Sequence, residues 1–154
     1  MEPILRTIFT QLFRNSVDHG SGDISKAVEI DIKVTLLKDS LLVTIEDDGP
    51  GLDLPELMNK TKSVAYESDM ELAKSIFTPG ISTSRSVSHI SGRGVGMDII
   101  REEVRKQNGS LSIVFTREKD SMGRQPFRIE LSFPLTNVLS ENAPGPDKSL
   151  AQTA

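Results

Sequence analysis

The sequence predicts an α+β domain: a two-layer sandwich whose mixed or antiparallel sheet of about four to five strands carries about three helices on one face. Two observations predict the layers. Apolar residues recur at helical spacing from Glu2 to about His19 and again from Met97 to about Lys106, whereas four other stretches alternate apolar and polar residues as half-buried strands do. A third observation predicts the class. The order helix, two strands, short helix and loop, helix, two strands lacks the strict strand–helix alternation of a parallel sheet.

In the first helix Ile4, Leu5, Ile8, Phe9, Leu12, Phe13 and Val17 form a wide apolar arc, with Pro3 suited to the first turn. Gln11, Asn15 and Asp18 fall on one stripe beside it. An amide at Asn15 needs a partner, either a neighbouring loop that it caps or a ligand. Gly20 to Asp23 end the helix. Val28, Ile30, Ile32, Val34 and Leu36 then read as a strand with one buried face. After a turn at Lys38-Asp39-Ser40, Leu41, Val43 and Ile45 complete a hairpin that delivers Asp47-Asp48-Gly49-Pro50-Gly51-Leu52 to a strand end. A tight turn accounts for these glycines without any ligand.

Leu54 to about Lys62 reads as a short helix with Pro55 near its start. Between Ser63 and His89 periodicity fades, and a loop of that length in a compact domain reads as a lid, here bounded at about 63–91, or as disorder. Met97, Ile100 and Val104 mark the face of the last helix, and Gly109 stops it. Leu111, Ile113 and Phe115, then Phe127, Ile129, Leu131 and Phe133, read as two further strands around a turn from Lys119 to Gln125. The domain is expected over 1–137, and 138–154 reads as a disordered tail.

With 154 residues, 36% of them hydrophobic and 26% charged, the chain suits one domain with one core. The lack of cysteine excludes disulfides and thiolate metal sites. A net charge of −4 argues against a nucleic-acid partner. No apolar run reaches the length of a membrane span and the first residues lack a signal-peptide pattern, so no membrane insertion and a cytoplasmic location are expected.

Ser91-Gly92-Arg93-Gly94-Val95-Gly96-Met97-Asp98 places three glycines at alternate positions directly before a helix. Glycine lets an anion approach the main chain, and a helix start offers unpaired N–H groups with partial positive charge. Such a loop binds phosphate or merely closes a turn.

Four stretches, in order, resemble the ATP-binding domain of histidine kinases, of the GHKL (Bergerat fold) group, most closely its chemotaxis (CheA-like) branch. They are Leu12-Phe13-Arg14-Asn15-Ser16-Val17-Asp18-His19-Gly20, Asp47-Asp48-Gly49-Pro50-Gly51-Leu52-Asp53, Ile76-Phe77-Thr78-Pro79-Gly80-Ile81-Ser82-Thr83-Ser84, and the glycine stretch above. Phe133-Pro134-Leu135-Thr136 also fits the family's last strand. The resemblance implies that Asp47 accepts a hydrogen bond from the adenine amino group, a contact that the carbonyl of guanine would meet with repulsion. It implies close approach of the base to Gly49 and Gly51, and phosphates against Gly92, Arg93, Gly94, Val95, Gly96 and Met97. Asn15 is the implied ligand of Mg²⁺, with Asp18, His19 and Arg14 near phosphate or ribose and Ser82, Thr83, Ser84 and Arg85 in the lid. ATP and Mg²⁺ are the implied cofactors.

Two departures bear on activity. Where relatives often carry Glu or His one turn before the Asn, this chain has Gln11, which cannot take a proton from an attacking water. Phosphoryl transfer to a neutral imidazole depends on positioning and charge stabilisation instead, so Gln11 favours a kinase over a hydrolytic ATPase. Where relatives show Gly then Thr before the last strand, this one has Gly123-Arg124-Gln125-Pro126-Phe127. The chain opens at the first binding helix and neither His19 nor His89 resembles a phospho-acceptor. The acceptor is therefore expected on a histidine-containing phosphotransfer domain or partner kinase chain, with a response regulator downstream. The alternatives are an ATP-sensing module without turnover and an anti-sigma-type serine kinase of the same fold.

Overall fold

The computed structural model describes residues 2–20, 28–61, 64–81 and 96–136, with the side chains of 2–4 and 15–20 outside the described set. In chain order the elements are α1 (Glu2–Gly20), β1 (Ile30–Leu36), β2 (Ser40–Asp47), β3 (Leu52–Asp53), α2 (Leu54–Lys60) and α3 (Asp69–Lys74). A 3-10 turn at Ser75–Phe77 extends α3, and α4 (Met97–Lys106), β4 (Ser110–Phe115), β5 (Arg124–Gln125) and β6 (Phe127–Pro134) follow. Among the described residues the main sheet has the order β1-β2-β6-β4 with every pair antiparallel, and β3 and β5 form a separate two-stranded sheet. The α+β class and the layering are therefore as expected. The sheet is antiparallel throughout.

Alternation explains the layering. Ile45, Ile129 and Ile113 stand side by side across β2, β6 and β4, and Val43, Leu131 and Leu111 form the next row. These side chains share one face, and the residues between them face the other. Ile8 and Leu12 of α1 and Ile100 and Val104 of α4 cover that face, closing a core that includes Phe133 and Leu131, both fully buried. A second cluster gathers Leu52, Leu54, Leu57, Leu72, Ala73, Ile76, Phe77 and Ile113 under α2 and α3. Met97, Leu111 and Phe127 pack against both clusters and so hold them together.

Two expectations change. The stretch from 63 to 91 is not one loop throughout, because 69–77 folds into α3 and its 3-10 extension, with Leu72, Ala73, Ile76 and Phe77 buried. Ser68 caps α3 by accepting the Glu71 N–H at 3.2 Å, and the Glu71 carboxylate reaches back to the N–H of Glu67 at 3.0 Å. The hydroxyl-then-Glu spacing and the paired apolar residues one turn apart were the signal for this helix. Residues 82–95 and the expected tail, 138–154, lie outside the described residues.

The second change concerns β1. Its apolar residues alternate as a half-buried strand requires, yet Ile32, Val34 and Leu36 are 39%, 62% and 70% exposed. β1 is an edge strand, and beyond Ile30 the helical layer does not cover it. Periodicity records that a strand has two faces. It does not record whether a helix reaches both.

Candidate functional site

Asp47 ends β2 in the same alternation as Val43 and Ile45, so its carboxylate leaves the sheet on the face that the helices cover. It is half-buried, and its Oδ1 accepts the N–H of Gly49 at 2.9 Å. Asp48 turns the opposite way. Its Oδ1 accepts the Glu29 N–H at 2.9 Å and its own N–H donates to the Glu29 carbonyl at 3.1 Å, tying the turn to the start of the hairpin. The two adjacent aspartates therefore divide the work: Asp48 holds the loop and Asp47 points towards the helices.

Gly49 is buried in the turn. Gly51 has a φ of +84°, and a Cβ there would run into the backbone carbonyl of Gln125. That contact lies at the β3–β5 seam, where Leu52 pairs with Gln125. Gln125 is buried and donates from its side-chain amide to the carbonyls of Arg117 at 2.6 Å and Pro126 at 3.1 Å. The seam alone accounts for glycine at position 51.

The start of α4 stands at the same end of the sheet as Asp47. Glu46 lies opposite Arg128, one residue into β6, whereas the far end of α4 is pinned by Gly109 against Ser132 and Phe133 at the other end of that strand. Met97 at the start of α4 and Phe127 at the start of β6 each pack against both clusters. Gly96 caps the helix in extended conformation without a side-chain hydrogen bond, and a Cβ on it would meet the Asp98 carboxylate. Ile99 closes the first turn by donating to the Gly96 carbonyl at 3.2 Å.

On α1, Gln11 is half-buried beside the buried Ile8 and Leu12 and is already engaged by a neighbour. The backbone of Asn15, Asp18 and His19 continues the helix, while their side chains lie outside the described residues. Thr83, Ser84, Gly92, Arg93, Gly94 and Val95 also lie outside them. Of the expected site residues, the structure describes Asp47, Gly49 and Gly51 in the turn after β2, Gly96 and Met97 at the start of α4, and Gln11 on α1, the helix that packs against α4. Thr116 was not anticipated. It follows β4 at this end, its N–H donates to the Pro126 carbonyl at 3.2 Å, and its Oγ1 is buried with no hydrogen-bond partner among the described residues. A lone Thr after an alternating strand carries no distinguishing sequence signal.

The family described as histidine kinase-, DNA gyrase B- and HSP90-like ATPase matches residues 2–137. The chain belongs to this family. It is an ATP-binding domain of the GHKL type, on the side of the chemotaxis histidine kinases. It is 38% identical over 127 residues to the gliding motility regulatory protein of Myxococcus xanthus, covering 71% of this chain and 16% of that protein. It is 36% identical over 140 residues to the chemotaxis protein CheA of Borreliella burgdorferi, covering 82% of this chain and 16% of that protein. The GHKL domain here thus spans less than a fifth of the length of these curated relatives. The mycobacterial sensor histidine kinase MprB shares its fold with a TM-score of 0.56 at 15% identity, covering 87% of this chain and 72% of that one. The catalytic domain of histidine kinase ThkA does so with a TM-score of 0.55 at 16% identity, covering 86% and 65%. Among the described residues no helix of this GHKL domain is long and apolar enough to cross a membrane.

Proposed function

We propose that the chain is the ATP-binding catalytic domain of a histidine protein kinase, and that it passes the terminal phosphate of Mg-ATP to a histidine on a partner chain in chemotaxis-like signalling. The observation that carries the reading is the placement of a half-buried carboxylate, Asp47, and the glycine-capped start of α4 at one end of one sheet. The carboxylate accepts from the adenine amino group. The α4 start, with Gly92 to Gly96 before it, receives the phosphates, whose charge the helix N-terminus favours. Gly49, already bonded to Asp47, brings main chain against the base. Asp18 and His19 are assigned to phosphate or ribose, and the hydroxyls of Thr83 and Ser84 to the terminal phosphate.

Mg²⁺ takes oxygen ligands and retains waters, so one amide oxygen from Asn15 with the phosphate oxygens makes a sufficient donor set. When bound it offsets charge on the transferring phosphoryl group. In the transfer an unprotonated imidazole nitrogen bonds to the terminal phosphorus as the bond to the ADP oxygen breaks. No carboxylate base is needed, which suits an amide at Gln11.

The partner is a histidine-containing phosphotransfer domain or another kinase chain, with a response regulator further on and the whole in the cytoplasm. Gln11 also favours one second reading, an ATP-holding module without turnover. Incubation with terminally labelled ATP, Mg²⁺ and histidine phosphotransfer domains separates the two. Acid-labile label on the partner is the expected result. Tight binding without transfer overturns the kinase reading in favour of the holding module, and acid-stable label on a serine overturns both.

A further inference from the structure

The outer edge of β1 is the feature that nucleotide chemistry leaves unused. Edge strands are ordinarily blunted by charged side chains, proline, bulges or short length, because an open row of N–H and C=O groups templates further pairing; β1 carries charges, Asp31 and Lys33, but of opposite sign. β1 has seven residues, Ile30–Leu36, with neither proline nor glycine. Glu29 and Leu37 direct their backbone groups to β2, the Glu29 carbonyl accepting from Asp48 and the Leu37 N–H donating to Ser40. Alternation then turns the N–H and C=O of Ile30, Ile32, Val34 and Leu36 to the open edge. Nothing else pairs with that edge among the described residues.

We propose that β1 pairs with β1 of a second copy of this chain, antiparallel and about a two-fold axis through Ile32, joining two four-stranded sheets into one of eight. Charge selects this register. Centred on Ile32, the strand sets Ile32 opposite itself and Ile30 opposite Val34 as hydrogen-bonded pairs, which the orientation of the backbone groups requires. It also sets Asp31 opposite Lys33 of the second copy, twice. These side chains are 57% and 73% exposed and form an ion pair at 2.9 Å within the strand, so the dimer closes a square of alternating charges. Centring on Lys33 or on Asp31 would place like charges face to face, and centring on Val34 would leave Asp31 opposite Leu37. The second copy also covers the apolar row of Ile32 and Val34 that the helices leave exposed.

Three versions of the chain test the register by light scattering after gel filtration. The parent is expected to dimerise with increasing concentration, whereas Asp31→Lys alone and Lys33→Asp alone each oppose like charges and weaken the dimer at least tenfold. Mixed together, the two variants are expected to form a one-to-one dimer, because every facing pair is again opposite in sign. As a second readout, Ile32→Cys in this cysteine-free chain is expected to cross-link under mild oxidation, since hydrogen-bonded antiparallel partners lie about 5.5 Å apart at Cα, within disulfide range. A parent that remains monomeric at millimolar concentration overturns the proposal and leaves the edge to a strand of another protein. A dimer indifferent to both charge reversals overturns it as well.

Discussion

At the scale of residues, one glycine separates architecture from ligand binding. Gly51 sits in the left-handed region, with its missing Cβ against the Gln125 carbonyl. A side chain there costs about 1–2 kcal/mol for the backbone conformation alone, before the collision is relieved. Gly51→Ala is therefore expected to lower the denaturant midpoint of the free protein by at least that amount. Unchanged stability with weakened ATP binding would instead make position 51 a ligand contact only. The sequence pattern around it, Asp-Gly-Pro-Gly, is the same for either role, because the chemistry that permits a tight turn also permits a close base. Only the neighbour across the seam, more than seventy residues away in sequence, decides between them. Asp47 and Asp48 present the same problem: their composition is identical, and what distinguishes them is strand parity and the Glu29 hydrogen bonds of Asp48.

At the scale of elements, the strongly periodic segments were legible and the short ones were not. β2, β6 and α4 each repeat their apolar residues often enough to specify a face, and each buries that face. α3 has only six residues, and its signal is a cap rather than a period. Replacing Ser68 by Ala removes the acceptor for the Glu71 N–H and is expected to cost about 1 kcal/mol, read as a lower unfolding midpoint. An unchanged midpoint would mean that packing of Leu72 and Phe77 alone specifies the helix. β5 was read as part of a turn because two residues cannot show alternation. The turn before it is organised by Asp120, whose carboxylate accepts from the N–H groups of Arg124 and Met122 and from the Arg124 guanidinium. Those bonds, the Arg124 N–H foremost, hold the Asp120 carboxyl below the usual value of 3.8. The proton thus binds the unfolded chain more readily, so this contribution to stability is full above pH 3.8 and fades as pH falls through the lower folded value. Asp120→Asn is expected to flatten the acid limb of stability against pH in that window. A parent and variant with parallel acid limbs would exclude Asp120 as a contributor.

At the scale of the whole molecule, the fold class, the layering and the family were all legible, since each rests on motifs in a fixed order rather than on any single one. Strand exposure was not, because the coverage of β1 depends on where α1 ends in space, and no local pattern encodes that. The acceptor proposed above was not legible in detail either, since the identity of a residue on another chain leaves no trace in this one. What the whole fold does assemble is one sheet end with Asp47 beside it and the α4 start above it. Under the proposed reading, a charged acceptor there contributes about 1.5–3 kcal/mol to adenine recognition, or roughly ten- to a hundredfold in affinity. An amide in its place presents a donor to the adenine amino group, or rotates and tolerates the guanine carbonyl. The decisive measurement is a calorimetric titration of ATP and GTP into the parent and into Asp47→Asn, with circular dichroism confirming that both are folded. The expected result is a parent that strongly prefers ATP and a variant that loses ten- to a hundredfold in ATP affinity together with most of that preference. A variant that binds ATP as tightly as the parent, or a parent indifferent between the two nucleotides, would contradict a nucleotide site built on Asp47.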